Sequence, residues 1–160
     1  MQLFVVRHAI AEEGEPGQAD ADRELTREGR KKMKQVAKGL RALDIRFSRI
    51  LTSPWARATT TAELLTSLSD AEPTPTELLT KKPSAELLTV LAEGGDNTAV
   101  VGHEPWLGEL VGWLSFGDMR HGEALDLKKG GVVWLDGHIV PGGMKLLALL
   151  PPKITREARR

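Results

Sequence analysis

Three short runs constrain this chain most: Leu3–Val6, Ile50–Thr52 and Thr98–Val101, each almost wholly apolar. A strand that is apolar at every position, not at every second one, must be covered on both faces. In a globular protein that means a largely parallel sheet with helices on either side. The segments between these runs change to helical spacing. From Thr26 onward Met33, Val36, Ala37, Leu40 and Leu43 share one helical face, and Arg30, Lys31, Lys34, Lys38 and Arg41 take the other. That basic side reads first as a solvated surface.

The same reading continues along the chain. Ser53-Pro54 follows the second strand as a candidate N-cap with proline at the first helical position, opening a helix to about Leu68. Thr76–Leu79 is expected as a short strand, and Ser84–Ala92 as a helix stopped by Gly94-Gly95. Pro105 opens a further helix carrying Leu107, Leu110, Val111 and Leu114 inward. Val132–Leu135 and Lys145–Leu150 complete the order as strands, and the tail from Pro151 is expected to fray. The expected fold is therefore a three-layer α/β/α sandwich on a mostly parallel sheet, as a single domain over residues 1–160.

Composition removes several functions. Lys+Arg and Asp+Glu both number 22, for a formal net charge of +0, and the balance holds in each half of the chain. A nucleic-acid binder usually carries a basic excess, so no nucleic-acid partner is expected. The absence of cysteine excludes disulfides, thiol nucleophiles and cysteine-type zinc sites. No apolar run approaches a membrane span or a secretory h-region, so the expectation is a cytoplasmic protein without membrane contact. His121 and His138 have no partner at metal-ligand spacing, and there is no G-x-G-x-x-G or P-loop. Neither a metal nor another cofactor is expected.

Chemistry gathers where strands end. The first strand runs into Arg7-His8, the second leads through Ser53-Pro54 to Arg57, and the Thr98–Val101 strand closes on Gly102-His103. In an open parallel sheet ligands bind at the carboxyl ends of strands, so these segments should converge. Two arginines, two histidines and a helix N-terminus in one crevice suit a multiply charged anion such as phosphate. Taken singly, each is more often a surface or packing residue; the joint placement carries the argument. Trp55 and Trp106 could wall the crevice, although packing against the core is the plainer account.

Those segments also carry a resemblance. Val6-Arg7-His8-Ala9, Leu25-Thr26-Arg27-Glu28-Gly29, the run Thr52 to Ala62 around Ser53-Pro54-Trp55-Ala56-Arg57, and Val101-Gly102-His103-Glu104-Pro105 resemble the histidine phosphatase superfamily in order and spacing. The likeness is greatest to its short SixA-type phosphohistidine phosphatases. It implies a phosphoglycerate mutase-like fold without a large cap, with His8 as the nucleophile that forms a phosphohistidine intermediate. It further implies that Arg7, Arg57 and His103 hold the phosphoryl oxygens, with Ser53 and Arg23 as lesser candidates for substrate binding.

The chain departs from the family pattern in two places. Ala9 stands where the familiar motif has glycine, and no general acid is obvious. Glu77 lies nearest the family's acidic position, with Glu104, Asp20 and Asp22 as alternatives. The implied function is hydrolysis of phosphohistidine on a protein partner in signal transduction, by a monomer. A phosphatase for a small metabolite or polyphosphate, and a non-catalytic phosphate- or phosphoprotein-binding module, are the alternatives. Only one short helix fits between Glu77 and Thr98, so a shallow, open groove over His8 is expected.

Overall fold

A computed structural model describes residues 1–159. Six strands form one sheet in the order β3-β2-β4-β1-β5-β6. They are β1 (Gln2–Arg7), β2 (Arg49–Thr52), β3 (Thr74–Pro75), β4 (Asn97–Gly102), β5 (Val132–Gly137) and β6 (Met144–Leu150). Neighbours among β3, β2, β4 and β1 are parallel, whereas β5 runs antiparallel to both β1 and β6.

The apolar runs are strands because both faces of the sheet are covered. Phe4, Val6, Ile50, Ala99 and Val101 face one core with Met33 and Leu40 of α1 (Arg27–Ala42) and Ala58 and Ala62 of α2 (Ala56–Leu64). Leu3, Val5, Leu51 and Val100 face the other, with Leu87 and Leu91 of α3 (Ala85–Ala92) and Leu107, Leu110 and Leu114 of α4 (Trp106–Phe116). Burying each such large side chain is worth about 1.5–3 kcal/mol, so these two cores, not the polar site, hold the domain together.

Local signals set the helix boundaries. Thr26 caps α1 by accepting from the Gly29 amide at 2.8 Å, and Ser84 caps α3 by accepting from Leu87 at 3.2 Å. Gly117 ends α4 in the left-handed region at φ 76°, which costs glycine no steric penalty.

Four expectations are corrected. Thr76–Leu79 is not a strand: β3 is the preceding Thr74–Pro75, and Glu77–Leu79 is a single helical turn capped by Thr76. Ser53 is not the cap of α2, which begins after Trp55, because its hydroxyl is committed to His103 and to the Trp55 amide. The helix also stops at Leu64, and Thr66–Leu68 continues as a separate single turn.

The tail does not fray from Pro151. Pro152–Glu157 is a further helix, α5, and its Thr155 is buried beside α1. The contact depends on Gly39, where an added Cβ would land on the backbone carbonyl of Thr155. Alanine favours a helix interior by about 1 kcal/mol over glycine, but a clash with backbone outweighs that. Gly39→Ala is therefore expected to lower stability by about 1–3 kcal/mol, a fall of roughly 3–10 °C in Tm. Thermal denaturation checks this, and a rise in Tm would show that α5 does not need the close approach.

Candidate active site

The parallel register pairs Arg7 of β1 with Gly102 of β4, so His8 and His103 leave the sheet side by side. Their ring centroids are 5.3 Å apart. Ser53, one residue beyond β2, continues its ladder by donating its amide to the Val101 carbonyl at 2.9 Å. Arg57 lies in the first turn of α2, so three strand ends deliver the four residues to one place. All of His8, Arg57 and His103 are buried, at 6%, 5% and 3% exposure.

His8 is held in one tautomer. Its Nδ1 lies 2.7 Å from the carbonyl oxygen of Ala9, which can only accept, so Nδ1 carries the proton and Nε2 keeps its lone pair. The backbone there is braced in turn: the Ala9 amide donates to Thr61 Oγ1 at 3.0 Å, and that hydroxyl donates to the Arg57 carbonyl at 2.7 Å. Alanine in place of glycine thus sits buried in a hydrogen-bonded turn. Burial pushes the His8 imidazole down to about 4; the Ala9 hydrogen bond opposes the shift, and Arg57, Arg7 and Lys129 add to it. His103 is pushed down to about 3, chiefly by burial and then by His8 and Arg57.

His103 is fixed through Nε2, 2.8 Å from Ser53 Oγ, and is walled by Trp55 and Trp106 at ring distances of 4.6 and 6.1 Å. Trp55 also stacks under Arg57, whose guanidinium carbon is 5.0 Å from the ring centre. Arg7 is anchored by donating Nη1 to the Leu127 carbonyl at 2.9 Å. Among the described residues Arg7 Nε, Arg57 Nε and His103 Nδ1 are buried without a hydrogen-bond partner. All three can carry a proton, a donor set complementary to an oxyanion.

Asp20, an acid candidate in the sequence, is placed by the structure as the partner of Arg57. Arg57 donates Nη1 to the Asp20 carbonyl at 2.8 Å and Nη2 to its carboxylate at 3.0 Å. Arg23 holds the other carboxylate oxygen of Asp20 at 3.0 Å and donates Nε to the Glu12 carbonyl. Asp20 is thus an ion-pair partner held below the usual carboxylate range, first by Arg23 and then by Arg57. Paired in this way, Asp20 is an acceptor for Arg57 and Arg23. No local sequence signal announces a contact spanning 37 positions. Asp20 thus lies on the Arg57 side of the site and the two tryptophans on the His103 side.

The acidic candidates separate in space. Glu77 is exposed, and its carboxylate accepts from Thr80 Oγ1 at 3.3 Å. Asp22 is also exposed. Glu104 is half-buried, accepts from the Gly108 amide, and has its carboxyl pushed up by burial against the opposing pull of Gly108 and Arg7. Among the described residues no group of His, Asp and Glu is arranged to hold a metal ion. No helix there is long and apolar enough to cross a membrane.

Comparison with known proteins points the same way. The profile of the histidine phosphatase superfamily (branch 1) matches residues 3–81. The chain is 37% identical to an uncharacterized protein of Picosynechococcus sp., over 84% of each chain. The protein histidine phosphatase SixA complexed with tungstate superposes with a TM-score of 0.79 at 23% identity, covering 96% of this chain and 98% of that one. A phosphoserine phosphatase of Entamoeba histolytica gives 0.72 at 18% identity over 96% and 98%, and the alpha-ribazole phosphatase of Shigella flexneri 0.73 at 18% over 95% and 97%. Structural likeness at such identities establishes the fold; the matched segment holds Arg7, His8 and Arg57 within it. This chain belongs to the histidine phosphatase superfamily and is a hydrolase of its phosphatase kind.

Proposed function

We propose that the chain removes a phosphoryl group from phosphohistidine on a protein partner through a covalent intermediate on His8. The observation that carries this reading is the His8 imidazole: buried, neutral, protonated on Nδ1 and flanked by Arg7, Arg57 and His103. Its Nε2 lone pair attacks phosphorus as the bond to the donor nitrogen breaks, and water then takes the phosphoryl group from His8 as inorganic phosphate. The arginines hold the phosphoryl oxygens, those on Arg57 replacing Asp20. With Ser53 donating to Nε2, His103 carries its proton on Nδ1 and offers it to the same oxygens. Ser53 then acts through His103, and Arg23 through Asp20, rather than on substrate.

Two considerations favour phosphohistidine over an ester. An imidazole leaves as a neutral ring when its other nitrogen is protonated, so it needs no strong acid, whereas an alkoxide does. The exposed Glu77 is poorly suited to that task, and Glu104 would be the acid if an ester were cleaved. Only a single turn and α3 separate β3 from β4, which leaves space for a side chain projecting from a folded protein. Action in the cytoplasm, as a monomer within a signalling relay, is part of the same reading. The second reading, a small phosphorylated metabolite, draws on the burial of His8 and the aromatic wall beside His103.

His8→Ala is expected to lower turnover by a factor of about 1000 or more while vanadate still binds, because Arg7, Arg57 and His103 remain. Quenching the wild type in alkali during turnover and mapping phosphate by mass spectrometry should place it on His8. Full activity in the variant would remove His8 as nucleophile.

The pH dependence has a definite sign. Because the folded His8 value lies at about 4, Nε2 is free above it, and the nucleophile is lost only as pH falls through about 4. An NMR titration of the ring should show this midpoint, and Arg57→Gln should raise it by removing a repelling charge. A midpoint near the ordinary 6.5 would contradict the buried, neutral imidazole.

Substrate choice is tested by comparing kcat/KM for a phosphohistidine-bearing phosphotransfer protein, short polyphosphate, aryl phosphates and a panel of sugar phosphates. The phosphoprotein should lead, with aryl phosphates hydrolysed poorly. A clear preference for one sugar phosphate would establish the metabolite reading instead.

A further inference from the structure

The turn Lys128–Lys129–Gly130 is fastened to the strand of the nucleophile. The Gly130 amide donates to the carbonyls of both Arg7 and His8, at 3.0 and 3.1 Å. This turn, α1 and α5 enclose a pocket of about 220 Å³. Its floor is apolar, built from Ala9, Ile10, Met33 and Pro152, and Ala9 is the residue whose carbonyl orients the His8 ring. Its rim is cationic, with Lys32, Lys128, Lys129, Lys153 and Arg156.

Five cations around one opening could be ordinary solvated surface, so their surroundings decide the matter. The chain as a whole has net charge +0, yet among the described residues no carboxylate lines this pocket. Lys32 is paired with Glu28 at 2.9 Å and Lys128 with Asp126 at 3.0 Å. Lys129, Lys153 and Arg156 have no ion-pair partner among the described residues. A cavity of about 150 Å³ accommodates benzene, so this one has room for a branched or aromatic side chain. An apolar floor under a rim where three of the five cations have no ion-pair partner, one residue from the nucleophile, fits a ligand that is apolar at its centre and acidic at its edges.

We propose that this pocket is an accessory subsite for an acidic peptide segment of the phosphorylated partner. An apolar side chain of that segment rests on the floor, and flanking carboxylates meet Lys129, Lys153 and Arg156. The identity of the segment's owner rests on the reading of the chain as a phosphatase of protein-borne phosphohistidine. The pocket's own preference for acidic peptide does not. Charge of this kind acts mainly on encounter and docking, so it should appear in kcat/KM and vanish with salt.

Two arms test this. In the first, an unphosphorylated peptide, acetyl-Glu-Asp-Leu-Asp-Glu-amide, and its Gln/Asn counterpart are titrated into the full chain and followed by NMR. The acidic peptide should shift Ile10, Lys153 and Arg156 resonances, the neutral one should not, and about 1 M salt should abolish the effect. No shifts at these residues, or equal shifts from both peptides, would overturn the subsite. In the second arm, phosphohistidine peptides with acidic and neutral flanks are compared as substrates. The acidic flank should raise kcat/KM about tenfold, as two or three exposed ion pairs allow, and Lys153→Glu/Arg156→Glu should reverse the preference. An unchanged ratio in that variant, its fold checked by circular dichroism, would also overturn the subsite. Failure of the wild type to turn over either phosphohistidine peptide would overturn the substrate reading, leaving the binding arm to judge the pocket alone.

Discussion

Everything at the site depends on the in-register parallel ladder between β1 and β4. Arg7 pairs with Gly102, and the His8 amide extends the ladder by donating to the Gly102 carbonyl at 3.1 Å. Two histidines far apart in the sequence are thereby brought off neighbouring strands at the same height. A slip of one residue would turn His8 to the opposite face of the sheet and bury the wrong alternation of Leu3, Phe4, Val5 and Val6. The two hydrophobic cores enforce the register, so packing far from the chemistry sets its geometry.

That geometry is electrostatically costly. Two imidazoles are buried beside two guanidinium groups, and both stay neutral when folded. As pH falls below the ordinary 6.5, the unfolded chain takes up protons that the folded site refuses until about 4 and about 3, so acid favours unfolding in that window. The cores must offset what the site takes from stability there. His8 is in consequence neutral at physiological pH without a carboxylate partner, its tautomer fixed by one backbone carbonyl.

Much of this is legible in the residue pattern, for a physical reason. Leu3–Val6 and Thr98–Val101 are apolar at consecutive positions because both faces are covered, and the polar residues that follow therefore mark strand ends on a buried sheet. What escapes the pattern is whatever long-range contact decides. Ser53 looks like a helix cap until His103 takes its hydroxyl. Pro152–Glu157 looks like a loose end until Gly39 offers a place for the Thr155 carbonyl. The Thr74–Pro75 strand is too short to carry any alternation, and its identity comes from pairing with Leu51 and Thr52. The link from Asp20 to Arg57 joins a loop without periodicity to a helix, and neither end marks the other.

The Asp20 contact has a consequence for how anions come and go. Arg57 is occupied by a carboxylate tethered to the same chain, which competes at a fixed effective concentration that dilution cannot lower. Any phosphate affinity measured for the site is therefore an exchange quantity: the strength of phosphate's hydrogen bonds to Arg57, less that of the Asp20 bonds they replace. Free phosphate, which brings nothing but its oxygens, meets this competitor at full strength, whereas a substrate that also engages surfaces elsewhere can displace it. On the proposed mechanism, that extra binding is gone once the intermediate on His8 is hydrolysed, and the carboxylate then competes with the product phosphate for Arg57.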